Sequence, residues 1–175
     1  KPESGIWIAC LCLVCPMAIL AFLCENFPPR PPDLRISQLQ LSILIHAANI
    51  GFMVMFSAVV APTVFKVLSQ KAAGAYLRKL FPRMFMFGFI TSSCAALAAL
   101  FDSHSTNAII SAFVALGFLG NAFILTPQIN KYRDALLAGD TAAKAMFGRL
   151  HLLSVAVFFF QLLASGSIVM MAYLS

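Results

Sequence analysis

The sequence has 175 residues, of which 61% are hydrophobic and only 10% are charged, and its mean hydropathy is +0.92. A soluble domain of this length carries about a quarter charged residues because its surface faces water, so the composition excludes a soluble globular protein. The net charge is +6, yet the basic residues stand at the ends of apolar runs. They form no row for phosphate contacts, which argues against a nucleic-acid partner. The expected surroundings are a lipid bilayer.

Five apolar runs follow one another along the chain, and each approaches the ~20 residues that cross a ~30 Å hydrocarbon layer as a helix. They are Ile6–Leu23, Leu39–Val60, Met84–Phe101, Ala108–Leu125 and Leu150–Leu174. Helix is expected because lipid offers no hydrogen-bond partner to backbone N–H and C=O groups. The sequence therefore predicts an all-α, polytopic membrane helix bundle.

The first run and the segment that follows it differ from the remainder of the chain. Residues 1–24 are expected to form an N-terminal transmembrane anchor, although Pro16 interrupts the run. Residues 25–35 contain four prolines, which prevent helix formation and favour a stiff, extended linker. Residues 36–175 then make up a four-helix membrane domain.

Lys and Arg concentrate in two of the connections between runs. Nine of the 12 basic residues lie between runs two and three or between runs four and five. The positive-inside rule places both connections on the cytoplasmic, matrix or stromal side, and the bacterial inner membrane and an organelle membrane are not distinguished. Both connections are expected to be helical and to lie in the headgroup layer, with Ser69 capping Gln70–Leu80 and Thr141 capping the segment before Leu150.

The two halves of the four-helix domain resemble each other. Gly51-Phe52 precedes Pro62, and Gly117-Phe118 precedes Pro127 at nearly the same spacing. Further along, the Ala-rich stretch 72–81 matches 142–151 in its alanines, a basic residue and a leucine. These landmarks predict a 2+2 parallel repeat, with a proline kink near the inner end of runs two and four.

Polar side chains form a stripe on each of two runs. The stripes are Ser42, His46, Asn49 and Ser57 on run two, and His151, Ser154, Gln161 and Ser165 on run five. At ~1.5 Å per residue, Gln161 lies near the level of His46, whereas His151 lies well over ~10 Å away in depth. We therefore expect a structural pin that joins His46 or Asn49 to Gln161. The alternative is that His46 binds a haem or pigment or relays protons.

A second polar cluster is expected at the inner ends of the helices. Its members are Lys79, Arg83, Asn121, Arg149 and His151. Basic side chains at helix ends reach outward to lipid phosphates, so we interpret the cluster as a lipid-headgroup site, with an anion site as the alternative. The five cysteines lie in or beside apolar runs, where free Cys packs as a small hydrophobe, and no metal site is predicted.

Landmarks distributed over residues 39–174 resemble those of the transmembrane protein 205-like family. They are His46, Gly51, Phe56, Ala61-Pro62, Phe65-Lys66, Ala73-Gly74, Leu80-Phe81-Pro82, Asn121, Pro127, Asn130, Phe147, Leu150-His151 and Ser154. The resemblance implies a four-helix membrane fold akin to copper-resistance membrane proteins and a haem-pathway oxidase. It also implies that membrane histidines are cofactor or metal ligands, which maps to His46 and His151. Their difference in depth argues against joint ligation.

No nucleophile–base–acid set is recognisable, so no catalytic residue is predicted and the protein is expected not to be an enzyme. The small-residue helix faces predict an accessory, scaffolding or assembly subunit whose partners are the lipid bilayer and other membrane-protein subunits. No cofactor is predicted. The alternative function is a small-molecule or ion transporter, or a haem- or metal-binding membrane protein.

Overall fold

The computed structural model describes residues 37–101 and 103–174. The predicted anchor (1–24) and the predicted proline-rich linker (25–35) lie outside these ranges. The described residues form six α-helices, two of which continue from a preceding helix through a π-helical segment. The elements are α1 (Gln38–Met55), π segment Phe56–Val60, α2 (Ala61–Val67), α3 (Gln70–Phe101), α4 (Ser105–Gly120), π segment Asn121–Leu125, α5 (Thr126–Leu137) and α6 (Ala143–Leu174).

Among the described residues, four continuous helical stretches are long and apolar enough to cross a membrane. They are Leu39–Val67, Gln70–Phe101, Ser105–Leu137 and Ala143–Leu174. α1 packs against α3 and α6, and α4 packs against the same two helices. The predicted fold class, an all-α membrane helix bundle, is confirmed for this part of the chain.

Side chains cap the starts of α1, α3 and α6. Ser37 and Gln40 form a reciprocal capping box at the start of α1, which satisfies backbone N–H groups that have no partner inside the helix. Ser69 accepts a hydrogen bond from the Ala72 N–H at 3.4 Å, as predicted. At α6, however, Asp140 accepts from the Ala142 N–H at 3.0 Å, so the predicted cap by the Thr141 side chain is wrong.

The basic connection before run three is not a separate interfacial helix. α3 extends from Gln70 to Phe101 without a break and contains Pro82 in its interior. A proline costs a membrane helix one hydrogen bond, which neighbouring helices and local adjustment compensate. With 32 residues at ~1.5 Å each, α3 is longer than the ~30 Å hydrocarbon layer, so one end extends beyond it.

Each predicted proline kink takes the form of a π segment. The Ala61 N–H donates to the Phe56 carbonyl, and the Thr126 N–H donates to the Asn121 carbonyl. These i→i+5 bonds insert one extra residue into the turn before the proline. The helix thereby continues past a residue that lacks an N–H. Identical local structure before both prolines is what the predicted repeat implies, and the repeat stays a prediction.

The apolar core is built around one aromatic ring. Phe118 is fully buried, and its ring centroid lies 6.5 Å from Phe52, 6.5 Å from Phe85 and 6.2 Å from Phe158. The ring packs on the bare backbone of Gly88 in α3, where an added Cβ would lie 2.6 Å from it. The absence of a side chain at Gly88 therefore sets how closely α3 and α4 approach.

Candidate functional site

Buried polar side chains line the inward faces of the helices, within the apolar length of the bundle. Polar groups in hydrocarbon are costly and normally face the bundle interior. The buried polar residues are Ser42, His46 and Asn49 on α1, Ser92 on α3, Asn107 and Ser111 on α4, Asn121 in the second π segment, Thr126 at the start of α5, and Gln161 and Ser165 on α6. We call His46 and its two hydrogen-bond partners, Ser111 and Ser165, the His46 network.

His46 is completely buried and connects three helices. Its Nε2 lies 2.8 Å from the Ser111 hydroxyl of α4, and its Nδ1 lies 3.1 Å from the Ser165 hydroxyl of α6. Ser111 donates its hydroxyl hydrogen to the Asn107 carbonyl at 2.7 Å. Since a serine hydroxyl carries one hydrogen, Nε2–H must donate to Ser111, and in the neutral ring Ser165 donates to Nδ1. The network therefore assigns the Nε2–H tautomer to His46.

Asn49, almost one turn further along α1, binds α3. Its Nδ2 group donates to the Ser92 hydroxyl at 3.1 Å, and its Oδ1 accepts from the Thr91 hydroxyl at 2.9 Å. The Thr91 hydroxyl has one hydrogen, for which the Phe87 and Gly88 carbonyls at 3.0 and 3.1 Å compete with Asn49, so the bond to Ser92 is the exclusive one. Asn49 therefore joins α1 to α3, and the predicted pin from Asn49 to Gln161 of α6 is wrong.

Gln161 also pins two helices, although with a different partner from the one predicted. Its Nε2 donates to the Val114 carbonyl of α4 at 2.8 Å, so the predicted hydrogen bond to His46 or Asn49 is wrong. α6 packs against both α1 and α4, and depth alone does not decide between them. Gly117 lets the amide lie close against α4, because a Cβ there would be in tight contact with Nε2, at 3.0 Å.

Two buried polar atoms have no hydrogen-bond partner among the described residues. They are the Ser42 hydroxyl oxygen and the Oε1 atom of Gln161. Ser42 lies one turn from His46 on α1, and Gln161 lies one turn from Ser165 on α6. Buried polar atoms of this kind bind internal water or a ligand atom.

The predicted headgroup cluster divides in the structure. Asn121 is fully buried, and its Oδ1 accepts from the Ser154 hydroxyl at 2.6 Å. It therefore joins the second π segment to α6, and its predicted contact with lipid headgroups is wrong. Lys79, Arg83 and Arg149 are exposed. His151 is also exposed, and it stacks on Phe147 with 6.0 Å between ring centroids.

The Asn121–Ser154 bond gives a stability prediction. Replacing Asn121 with alanine should lower the unfolding free energy by about 1 kcal/mol, because interhelical hydrogen bonds in membrane proteins contribute ~0.6 kcal/mol on average and up to ~1.7. Ser154→Ala should cost a similar amount, and the double variant should cost less than the two single costs combined. Unfolding in mixed detergent micelles measures all three, and full additivity would show that the two side chains do not interact.

Sequence reasoning missed a contact between α3 and α5. The Arg133 guanidinium group lies against Gly74, where any Cβ would overlap it. Next to it, Arg78 of α3 forms an ion pair with Asp134 of α5. The one sequence feature that could have indicated this contact is Gly74, which stands among alanines before Tyr76. Nothing in the sequence pairs these two segments.

No cluster of ligands for a metal ion exists among the described residues, since no three His, Cys, Asp or Glu side chains come together there. His46 is the one predicted cofactor ligand on the bundle interior. Because both of its ring nitrogens bind serines, a haem or metal would have to displace Ser165 from Nδ1 or Ser111 from Nε2. The geometry of the site is thus that of an interhelical pin.

Four apolar helices with inward-facing polar groups define a polytopic membrane helix bundle. Within this class, the chain belongs to the family described as a domain of unknown function, DUF4149, which matches residues 44–136. The match contains His46, Asn49 and Ser111 and ends before α6. The family is uncharacterised, and nothing in the match links the chain to transmembrane protein 205 or to copper-resistance proteins. No curated protein and no solved structure matches the chain.

Proposed function

We propose that the protein is a non-enzymatic accessory or assembly subunit of a larger membrane complex. It acts through contacts between its lipid-facing helix surface and other membrane-protein subunits. All nine described Lys and Arg residues lie toward the end of the bundle that carries the α2–α3 and α5–α6 connections, which we call the basic end. The positive-inside rule favours the cytoplasmic, matrix or stromal side for it.

One exposed face of α1 carries this proposal. Ala47, Ala48 and Gly51 of α1 are exposed, as is Ala58 in the π segment that follows, and the opposite side of α1 packs against α3 and α6. A Cβ added at Gly51 would meet no atom within 4 Å. Small residues at this spacing let a second helix approach closely, which is how membrane helices associate in the absence of a hydrophobic driving force.

The packing of the bundle interior also supports an accessory function. His46 and Asn49 use their side-chain nitrogens and oxygens within the bundle. Phe118 and its three neighbouring rings fill the middle. An interior of this kind holds the helices together, and it leaves the outer surface as the place for recognition.

Purification from the native membrane in mild detergent tests the proposal. A membrane-protein partner should copurify with the wild type and with Gly166→Leu, a control at which an added side chain also meets open space. Gly51→Leu should lose that partner while keeping the same melting temperature. A wild-type particle with no copurifying subunit, or a Gly51→Leu variant that keeps its partner, would count against an accessory role.

The second candidate function is binding of a haem or metal, or transport of a small polar solute or ion. The unpartnered Gln161 Oε1 and Ser42 hydroxyl favour it, because both lie within one turn of the His46 network and could accept or donate a hydrogen bond. A relationship to transmembrane protein 205-like and copper-resistance membrane proteins would favour this second function. An absorption spectrum of the purified protein discriminates, since a Soret band that His46→Ala removes from a folded protein would establish a haem ligand.

A further inference from the structure

The Arg133 side chain occupies an unusual position at the basic end of the bundle. Its guanidinium group covers Gly74, which is buried beneath it, and the arginine itself is half-buried. Arg133 forms no hydrogen bond or ion pair with a carboxylate of the described residues: Asp134 pairs with Arg78, and the Asp140 carboxylate accepts from a backbone N–H. A planar group fixed by packing, with free N–H donors, is suited to bidentate binding of an anion.

Two further cations lie on the α3 face that carries Gly74. Lys71 and Arg78 are three and four residues from Gly74, so all three residues share one side of the helix. Asp134 pairs with Arg78, whose side chain is 40% exposed. Lys71, Arg78 and Arg133 together with Asp134 leave a net charge of about +2 at this point. The single carboxylate holds α5 against α3 without neutralising the cluster.

The cluster lies just outside the hydrocarbon core, within reach of the membrane phosphates. From Phe101 to Gly74, α3 rises ~40 Å. If Phe101 lies at one boundary of a ~30 Å hydrocarbon core, Gly74 lies ~10 Å beyond the other boundary. Long basic side chains at that level reach back to the phosphate layer.

We propose that Arg133, held on Gly74 and flanked by Lys71 and Arg78, binds a phosphate group. The depth favours the phosphate of an anionic lipid headgroup, and a free phosphate ester offers the same chemistry. The guanidinium fork supplies two parallel charge-assisted hydrogen bonds to two phosphate oxygens. Gly74 is required because any side chain there would displace the guanidinium group. This site is separate from the exposed α1 face and independent of the proposed accessory function.

Binding of a water-soluble, short-chain phosphatidic acid to the detergent-purified full chain tests the proposal. Arg133→Gln should weaken binding about tenfold or more, the equivalent of one bidentate contact. Lys144→Gln removes the same charge from the basic end outside the cluster, and it should change the affinity about twofold at most. Arg133→Lys should lie between them because it keeps the charge and loses the fork. Equal weakening by Arg133→Gln and Lys144→Gln would overturn the proposal in favour of a diffuse basic surface.

Inorganic phosphate and short-chain phosphatidylcholine separate the two sources. Tighter binding of phosphatidic acid than of inorganic phosphate, with weak binding of phosphatidylcholine, would assign the site to an anionic lipid. Inorganic phosphate that binds equally tightly, with the same dependence on Arg133, would confirm the phosphate chemistry and assign it to a soluble ligand. The melting temperature of each variant shows that it is folded, and Gly74→Ala should reproduce the loss seen with Arg133→Gln.

Discussion

Replacing Gly88 with alanine should lower the unfolding free energy by about 1–3 kcal/mol, the usual cost of extra volume in a packed core. The new methyl group would lie 2.6–2.7 Å from three atoms of the Phe118 ring. Phe118 has no room to withdraw, because it is fully buried among Phe52, Phe85 and Phe158. α3 and α4 would therefore have to separate. Gly88→Leu should prevent native packing altogether.

A second glycine provides the matched control for this prediction. Gly166 is also in the interior of a long helix, but a Cβ there would meet no atom within 4 Å. Gly166→Ala should therefore leave the unfolding free energy unchanged or raise it by up to ~1 kcal/mol, since alanine is the better helix former. Unfolding of both variants in mixed micelles gives the comparison. Equal effects would show that α3 and α4 do not approach each other at Gly88 as the structure has them.

Replacing His46 with alanine should lower the unfolding free energy by about 2–4 kcal/mol, from the cavity and from two lost interhelical hydrogen bonds. The Ser165 hydroxyl would lose the partner to which it donates, whereas Ser111 would keep the Asn107 carbonyl. Ser165→Ala should therefore be the milder change. Adding Ser165→Ala to His46→Ala should lower the unfolding free energy little further, because both substitutions remove the bond between His46 and Ser165.

His151→Ala is the control for His46→Ala, because it removes the same side chain from the same bundle. His151 is exposed and its ring contact is with Phe147, so its replacement should change the unfolding free energy by no more than about 0.5 kcal/mol. If the two histidine variants were equally stable, His46 would not be a structural pin. The cofactor-binding candidate would then gain weight, especially if His46→Ala lost an absorption band.

Much of the fold can be predicted from the sequence because lipid leaves few alternatives. Uninterrupted apolar runs must be helical in a bilayer, and the four runs after residue 36 correspond to the four helical stretches. Their ends are less predictable. Charged residues near Arg83 and Arg149 ended the apolar runs, but charge does not end a helix, and the first helix also continues through Pro82. α3 and α6 therefore begin 14 and seven residues earlier, at Gln70 and Ala143.

The interior could be predicted by residue but not by partner. Spacing along one helix identifies its polar stripe, and His46, Asn49 and Gln161 are indeed buried. The partner depends on how each helix is rotated and on small residues opposite, such as Gly117 beneath Gln161. The π segment adds a further shift: it buries Phe56 and exposes Ser57, which the stripe had placed inside. Arg133 was missed because its support is a glycine in a different helix.

Nitrogen-15 NMR of the protein labelled at histidine, purified in mild detergent as isolated, tests the central claim that His46 is a pin within the bundle. The predicted result is a buried histidine in the neutral Nε2–H form, with signals that disappear in His46→Ala and shift in Ser111→Ala and Ser165→Ala. Adding haem or copper should leave those signals unchanged. A ring nitrogen of His46 coordinated to a metal or haem, or a ring insensitive to both serine substitutions, would contradict the claim.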